Sequence, residues 1–499
     1  MDTATSLQSR LDEHLRPQLD LYRKSLQPVS QPKIVRDVIW GFNLFEPFEL
    51  ALIDSPPFQR LRNIFQTSLA LYTYPCSVHS RFEHSLGAAA VASKMLDAIS
   101  RKMKEVDPVL RIETRLSALL HDLSHGPFSH SSESFYRHLT DATGESIFIK
   151  VQEENPKLFG EASPSEIITY LLLTTPSFRG LWNDIKDTYK RQRPELEQVV
   201  LERLAHMILG VDIPGIPRFY RQIVNGPFDA DKLDYLPRDG YFTGLQIVVD
   251  IERLLYTVSV ANKDGERNIS VVASGASVLE QVIFAKTQLY SSVYHHHKVR
   301  AAHRMLHSLL HSMLRRGYKP AGYDLADPIS FAILDDYDLL HSVDDRDLNE
   351  IVSRIKRRVL PKRALVISYP AFEESDKISR ENFNRIDDAQ ARKIEQEIER
   401  GLGLEHGSVF FDLPTPPNVM GTGQALVELD SSGENTVLLQ KIYPAGAWAK
   451  AYAGYRKVAY VFTTHDSRRR VGETARSVFG DLKYPVKLNE NALALAKAT

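Results

Sequence analysis

The stretch LLHDLSHGPFSHSSES, residues 119–134, sets His121, Asp122, His125, His130 and Glu133 behind an apolar run. Imidazole takes and gives protons near neutrality and also ligates metals, so the cluster points to metal binding, to proton transfer, or to both. Adjacent residues on a helix point about 100° apart; His121 and Asp122 meet one ion only where the helix ends and tilts against it. Gly126 and Pro127 supply that ending. His125 and His130 then sit on a turn beside the pair. A lone His-Asp pair carries little information, and its surroundings give it weight.

Two further segments are able to converge on it. SRFEHSLGAAA places Arg81, Glu83 and His84 at a helix start, and NGPFDADKLDYLPRDG carries Asp229, Asp231, Asp234 and Asp239 among apolar residues. Imidazole with carboxylate suits Fe, Mn, Zn, Ni or, less well, Mg. Two or three histidines with one or two aspartates leave positions open for water and phosphate oxygen. The plainer alternatives are that His84 is a satisfied polar residue and that the aspartates are helix caps. YHHHKV (His295, His296, His297) reads as an internal helical segment. Three consecutive residues cannot share a helix face, so at most one or two of them point at a pocket.

The elements that must position these groups are mostly helices. A chain of 499 residues is too long for one small core, so two or more lobes are expected. Residues 1–32 form a polar N-terminal extension, helical in part. From 33 to 320 helical periodicity dominates: Leu86, Ala90, Met95 and Leu96 share one stripe, and Leu116, Leu119, Leu120 and Leu123 another. AKTQLYSSVYHHHKVRAAHRMLHSLLHSML reads as one long helix. Residues 321–499 are helical and then α+β, with strand-like runs RALVISYP, GSVFFDLP, NTVLLQKI and KVAYVFTT around the charged helix DDAQARKIEQEIER. The fold class is mainly α, with a smaller α+β C-terminal lobe. GLGLEHG has the wrong spacing for a nucleotide loop and reads as a helix C-cap.

The formal net charge of -1 demands neither nucleic acid nor an anionic membrane as partner. IKRR and DSRRRV lack interleaved aromatics, so they permit weak single-strand binding at most. Cys76 is the single cysteine, which excludes an internal disulfide; it reads as a small buried apolar residue. The chain shows neither a secretory leader nor an apolar run near the roughly 20 residues of a membrane span, and a cytoplasmic location is expected.

FQRLRNIFQ, YPCSVHSRFEHSLG, LLHDLSHGPFSH, FDADKLDYLPRD and YHHHKV occur in that order. With them the chain resembles the HD-domain phosphohydrolases of the deoxynucleoside triphosphate triphosphohydrolase group, related to the catalytic core of the vertebrate SAM-and-HD-domain dNTPase. The likeness runs from about Lys33 to Val299, then weakly onward, with no recognisable SAM domain ahead of it. It implies an HD-type core over 33–320 and a divalent metal (Mn, Fe, Mg, Zn or Ni) on His84, His121, Asp122 and Asp231. It also implies hydrolysis of a deoxynucleoside triphosphate to deoxynucleoside and inorganic triphosphate. His130 matches the proton donor, with His125 beside it and Glu133 as the acidic partner that holds its tautomer. Gln66 and Asp239 match positions at the sugar 3'-hydroxyl, Tyr235 one that excludes a 2'-hydroxyl, and Arg81 and Lys232 phosphate-binding ones. His297, or its neighbour His296, lines the base end. Lys33, Asp54, Gln59 and Arg62 match residues that hold an activating guanine nucleotide between subunits, which with a homo-oligomer completes the implied picture; the alternative for DSPPFQRLR is a solvated helix start.

The sequence departs from that pattern at three places. GEASPSEIITYLL lacks a family histidine, with Glu161 or Ser163 near its place. A phosphate-contacting arginine upstream of YHHHKV has no clear match except Lys286, and Trp40 replaces the histidine of a DP-x-HG opening. Two rival functions follow: hydrolysis of another nucleotide or phosphate ester, and a nucleotide sensor with reduced turnover.

Overall fold

The computed structural model describes residues 2–103, 106–341, 343–368, 383, 386, 388–414, 420–430, 435–444, 447–448, 451, 458–464, 466 and 468–481. In chain order, α1 spans Thr3–Ser25, β1 Lys33–Asp37 and β2 Gly41–Phe45. Then come α2 (Arg81–Lys102), α3 (Pro108–Leu120), α4 (His130–Arg137), α5 (Pro164–Leu173), α6 (Leu201–Leu209) and α7 (Ala230–Thr243), with shorter helical turns between them. They are followed by β3 (Val258–Lys263), β4 (Glu266–Val272), α8 (Ala276–Leu289), α9 (His297–Arg316), α10 (Ser330–Ile333) and α11 (Asp336–Leu340). The remainder holds β5 (Lys362–Ser368), α12 (Asp388–Leu402), β6 (Val409–Asp412), β7 (Leu426–Glu428), β8 (Thr436–Leu438), β9 (Val458–Thr463) and α13 (Arg468–Asp481). The fold is mainly α with small sheets, as the periodicity implies.

Two compact units emerge: residues 1–285, 313–343 and 420–445 form the first, and 286–312, 344–419 and 446–499 the second. Neither is one stretch of chain. In the first unit α2 packs on α3 and α7, and α3 packs on α6. Asp107 caps α3 by accepting the N–H groups of Val109 and Leu110, and Pro108 opens the helix where a missing N–H costs nothing. The stripe Leu116, Leu119, Leu120, Leu123 is buried, which fixes the direction in which the helix ends and so where His121 emerges. The second unit sets α12 and α13 on an antiparallel sheet ordered β5-β9-β6. Leu365, Ile394, Ile398, Phe411, Val461 and Phe479 fill its core.

Several expectations need correction. The helical region 33–320 contains two hairpins, β1-β2 and β3-β4. The second was legible: Asp264 and Gly265 both have positive φ, the two-residue turn that an Asp-Gly pair favours. β7 and β8 extend the sheet of β3 and β4 in the first unit, β7 running parallel to β4, so residues 321–499 do not fold as one block. Ser270 Oγ donates to Glu428 Oε1 across that pair at 2.5 Å. The long helix is interrupted by a π turn at Tyr290–Tyr294, and His295 and His296 lie in the break before His297 opens α9. Cys76 is exposed rather than buried. GLGLEHG does end a helix, Gly403 adopting φ +63° after Leu402. Tyr369 and Pro370 of RALVISYP and Ser467 of DSRRRV lie outside the described residues. Among the described residues no helix is long and apolar enough to cross a membrane.

Leu119 is fully buried on α3. Leu119→Ala is expected to cost about 2–5 kcal/mol of stability, read as a lower urea midpoint at unchanged slope.

Candidate metal centre and active site

Three local structures bring the ligand candidates together. Ser80 caps α2 in a capping box in which Glu83 accepts the Ser80 N–H at 2.9 Å. Glu83 therefore serves the cap, and His84 one residue on faces inward, fully buried. His121 is the C-cap of α3 with Asp122 beside it. Asp229 caps α7, accepting the Lys232 N–H at 2.9 Å, which is the plainer alternative realised for that residue. Asp231 follows in the first turn of α7.

His84 Nε2 lies 3.1 Å from Asp231 Oδ1 and 3.6 Å from Asp122 Oδ2. His121 Nε2 lies 3.3 Å from Asp122 Oδ1 and 3.8 Å from Asp231 Oδ1. One ligand atom each from His84, His121 and Asp122 fall within 4.8 Å of one another. Both Nε2 atoms are buried and make no hydrogen bond. The tautomers explain why. His121 Nδ1 sits 2.9 Å from the Ala118 carbonyl, which only accepts, so Nδ1 carries the proton and Nε2 presents a lone pair. His84 Nδ1 meets Asp234 Oδ2 at 2.7 Å with the same consequence; burial opposes protonation of both rings, but the facing carboxylates override it and raise His121, and His84 to about 10, so a cation takes each Nε2 in exchange for a proton. Two aimed imidazole lone pairs facing two carboxylates fit a divalent cation, with N/O donors that do not single out one metal. Burial opposes ionisation of Asp122, but the Arg81 guanidinium, 2.5 Å from Oδ2, overrides it and holds this carboxyl well below the usual carboxylate range.

Behind His84 stands a buried network. Arg238 donates to both oxygens of Asp234 at 2.8 Å each and to Asp37 Oδ2 at 2.8 Å. Trp40 Nε1 donates to Asp234 Oδ1 at 2.5 Å. The tryptophan that replaces a family histidine thus hydrogen-bonds the carboxylate orienting a ligand. Gly87 allows this approach: a Cβ there would stand 1.9 Å from Asp234 Oδ1.

The 121–130 turn carries the second group of residues. His125 Nε2 lies 3.7 Å from Asp122 Oδ1, and its ring meets His130 edge-on at 4.9 Å between centroids. His130 Nδ1 pairs with Glu133 Oε2 at 2.8 Å, and Glu133 Oε1 accepts from Ser165 Oγ at 3.2 Å. His130 opens α4 and its side chain is 75% exposed, so it meets solvent. Burial works to raise Glu133, but the His130 hydrogen bond and charge bring it down to about 2, keeping it an acceptor. Burial, reinforced by Arg81, holds His125 well below the ordinary imidazole value, so it is neutral. Where the family histidine is missing, Ser163 caps α5 and Glu166 completes its capping box. Phe128 and Ser129 adopt φ of +56° and +53° just ahead of His130, a conformation that costs about 1–3 kcal/mol per non-glycine residue.

Gln66 and Asp239 are brought together by a residue the sequence reading did not use. Gln66 N–H donates to the His79 carbonyl at 3.0 Å, and His79 Nε2 meets Asp239 Oδ1 at 2.8 Å. Gln66 Oε1 and His79 Nδ1 are buried without hydrogen bonds. His79 was visible two residues before Arg81 in the same motif. Tyr235 is partly buried, beside Asp234 on α7. Arg81 is bound to Asp122 and to Ser129 Oγ at 2.9 Å, and Lys232 to Asp229 and the Gly226 carbonyl. His297 belongs to the second unit, as does Lys286. Arg62 donates to Gln59 Oε1 at 2.7 Å and lies 3.5 Å over the Phe82 ring. Lys33 on β1 and Asp54, after the short helix Pro47–Ile53, are exposed.

Residues 81–164 match the HD domain family and residues 249–490 match the HD associated region. Uncharacterized protein MJ1154 of Methanocaldococcus jannaschii is 30% identical over 387 residues, covering 77% of this chain and 70% of that one. The chain belongs to the HD-domain family. The HD-domain protein is also related to the deoxynucleoside triphosphate triphosphohydrolase SAMHD1 homolog of Dictyostelium discoideum, 29% identical over 269 residues, and to SAMHD1 of Bos taurus, 28% identical over 292. Those matches cover 53% of this chain in each case, and 46% and 44% of the relatives' own lengths. Membership places it in a superfamily of metal-dependent phosphohydrolases, with His84, His121 and Asp122 able to hold the metal.

Removing the carboxylate behind His84 frees that ring. Asp234→Ala is expected to weaken Mn²⁺ binding about 10–100-fold, read by titration calorimetry. Gly87→Ala is expected to weaken it in the same sense, because its methyl displaces Asp234.

Proposed function

We propose that this HD-domain protein hydrolyses deoxynucleoside triphosphates to deoxynucleoside and inorganic triphosphate. The observation that carries this reading is the row Asp122, His125, His130, Glu133, which joins the ligand cluster to an exposed acid held by a buried carboxylate. A divalent cation on His84, His121, Asp122 and Asp231 supplies Lewis-acid activation of a phosphoryl oxygen and an acidified water. The remaining work falls to side chains. Cleavage between the 5'-oxygen and the α-phosphorus leaves a strongly basic alkoxide, and His130, with Nδ1 on Glu133, gives it the proton from Nε2. Neutral His125 assists as a hydrogen-bonding neighbour. Gln66 and Asp239, tied by His79, meet the 3'-hydroxyl, and Tyr235 excludes a 2'-hydroxyl. Arg81 and Lys232 offset the triphosphate charge by sharing their present carboxylate partners with it. Lys33, Asp54, Gln59 and Arg62 hold an activating nucleotide in a homo-oligomer.

Incubating the protein and Mn²⁺ with all four deoxynucleoside triphosphates is expected to yield nucleoside and intact triphosphate. Release of orthophosphate or pyrophosphate instead assigns it to another phosphate ester, the Ser163–Glu166 cap in place of a histidine being the feature that favours this second reading. His130→Ala is expected to keep its metal and lose about 10²–10⁴-fold in turnover; undiminished turnover removes His130 as the donor. Tyr235→Ala is expected to raise turnover of ribonucleotides relative to deoxynucleotides in direct competition.

A further inference from the structure

The turn that carries His125 and His130 is braced by a segment that lies outside the HD-matching residues 81–164. Asp336, the first residue of α11, is buried, and each of its carboxylate oxygens takes a backbone amide from a different loop. Oδ1 accepts the Phe128 N–H at 2.5 Å and Oδ2 the Phe65 N–H at 2.9 Å. Phe128 is the first of the two positive-φ residues ahead of His130, and Phe65 precedes Gln66. Ser129 Oγ closes the same junction by donating to the Phe65 carbonyl at 2.7 Å.

A partly buried arginine reaches the turn from its other side. Arg60 Nη1 donates to the Leu334 carbonyl at 2.7 Å, just ahead of α11, and Nη2 to the carbonyls of His125 at 2.6 Å and Leu123 at 3.2 Å. Apolar contact completes the brace. A Cβ on Gly126 would stand 2.2 Å from the Phe331 ring of α10, and that ring also packs edge-on to Tyr136 of α4 at 4.8 Å. Carbonyls, amides and the glycine face of the turn are thus all held by, or linked to, residues 330–340.

We infer that Asp336 is a positioning residue for the acid step: its carboxyl holds Phe128 and Ser129 at their positive φ and so aims His130, while fixing Gln66 through Phe65. The physical need is plain. Non-glycine residues at positive φ persist only where surroundings over-determine them, and a buried carboxyl accepting an amide at each of its oxygens ties the two loops together. The inference rests on the reading of His130 as the donor.

Asp336→Asn tests it in the full, Mn²⁺-loaded chain. Asparagine offers one oxygen and one NH₂, so one of the two amides loses its acceptor and faces a donor. The expected result is a cooperative melt and full metal content, KM within about threefold of wild type, and kcat lower by roughly tenfold to a hundredfold. Faster amide exchange accompanies it, confined to residues 123–132 and to the segment of Phe65 and Gln66. Unchanged kcat, unchanged exchange across residues 123–132, or metal loss in proportion to kcat overturns the inference. Should Asp336→Asn not fold, Phe331→Leu loosens the same brace and is judged by the same readouts. A wild-type protein that cleaves no phosphate ester defeats the reading of His130, and the exchange measurement then still decides whether Asp336 holds the turn.

Discussion

His84 Nδ1 meets Asp234 Oδ2 at 2.7 Å because Gly87 leaves room for α7 to approach α2. Everything at the centre follows from this contact. The Nδ1 partner sets the tautomer, the tautomer turns Nε2 toward Asp122 and Asp231, and a fully buried imidazole is left able to take a cation there. Burying Asp234 is costly unless its charge is matched. Arg238 and Trp40 match it, and Asp37 in turn satisfies Arg238.

The same logic of compensated burial governs the turn. Asp122 lies against Arg81, Glu133 against His130, and Asp336 against two backbone amides within the field of Arg60. Asp336 shows what happens when compensation is incomplete: burial pushes its carboxyl up to about 8, although both amides and Arg60 oppose the rise. His130 is the contrasting case. It keeps its partner buried and its own ring exposed, an arrangement suited to a group that exchanges a proton with what arrives from solvent.

Much of the site was legible before folding. His84, His121, Asp122 and Asp231 stand in three short motifs, and the structure places their side chains within a few ångströms of one another. The pairing of His130 with Glu133 follows from i,i+3 spacing on a helix. Asp229 and Glu83 looked alike to their chemical neighbours in sequence but proved to be caps, since capping depends on where a helix begins to within one residue. The strand β7 was harder still, whereas NTVLLQKI had marked β8. Its run is three residues long, and it becomes a strand by adding to β4, more than 150 residues earlier, with β8 pairing to it in turn.

What the sequence determined by itself is therefore local: helices with buried stripes, a turn forced at Gly126 and Pro127, and donors of the right kind at the right intervals. Tertiary structure alone decided which polar groups serve one another. His79 between Gln66 and Asp239, Trp40 on Asp234, and Asp336 under Phe128 pair residues separated by 160, 194 and 208 positions for their respective hydrogen bonds. No periodicity reports such pairs, because they arise only when packing removes water and leaves each buried donor or acceptor one partner within reach.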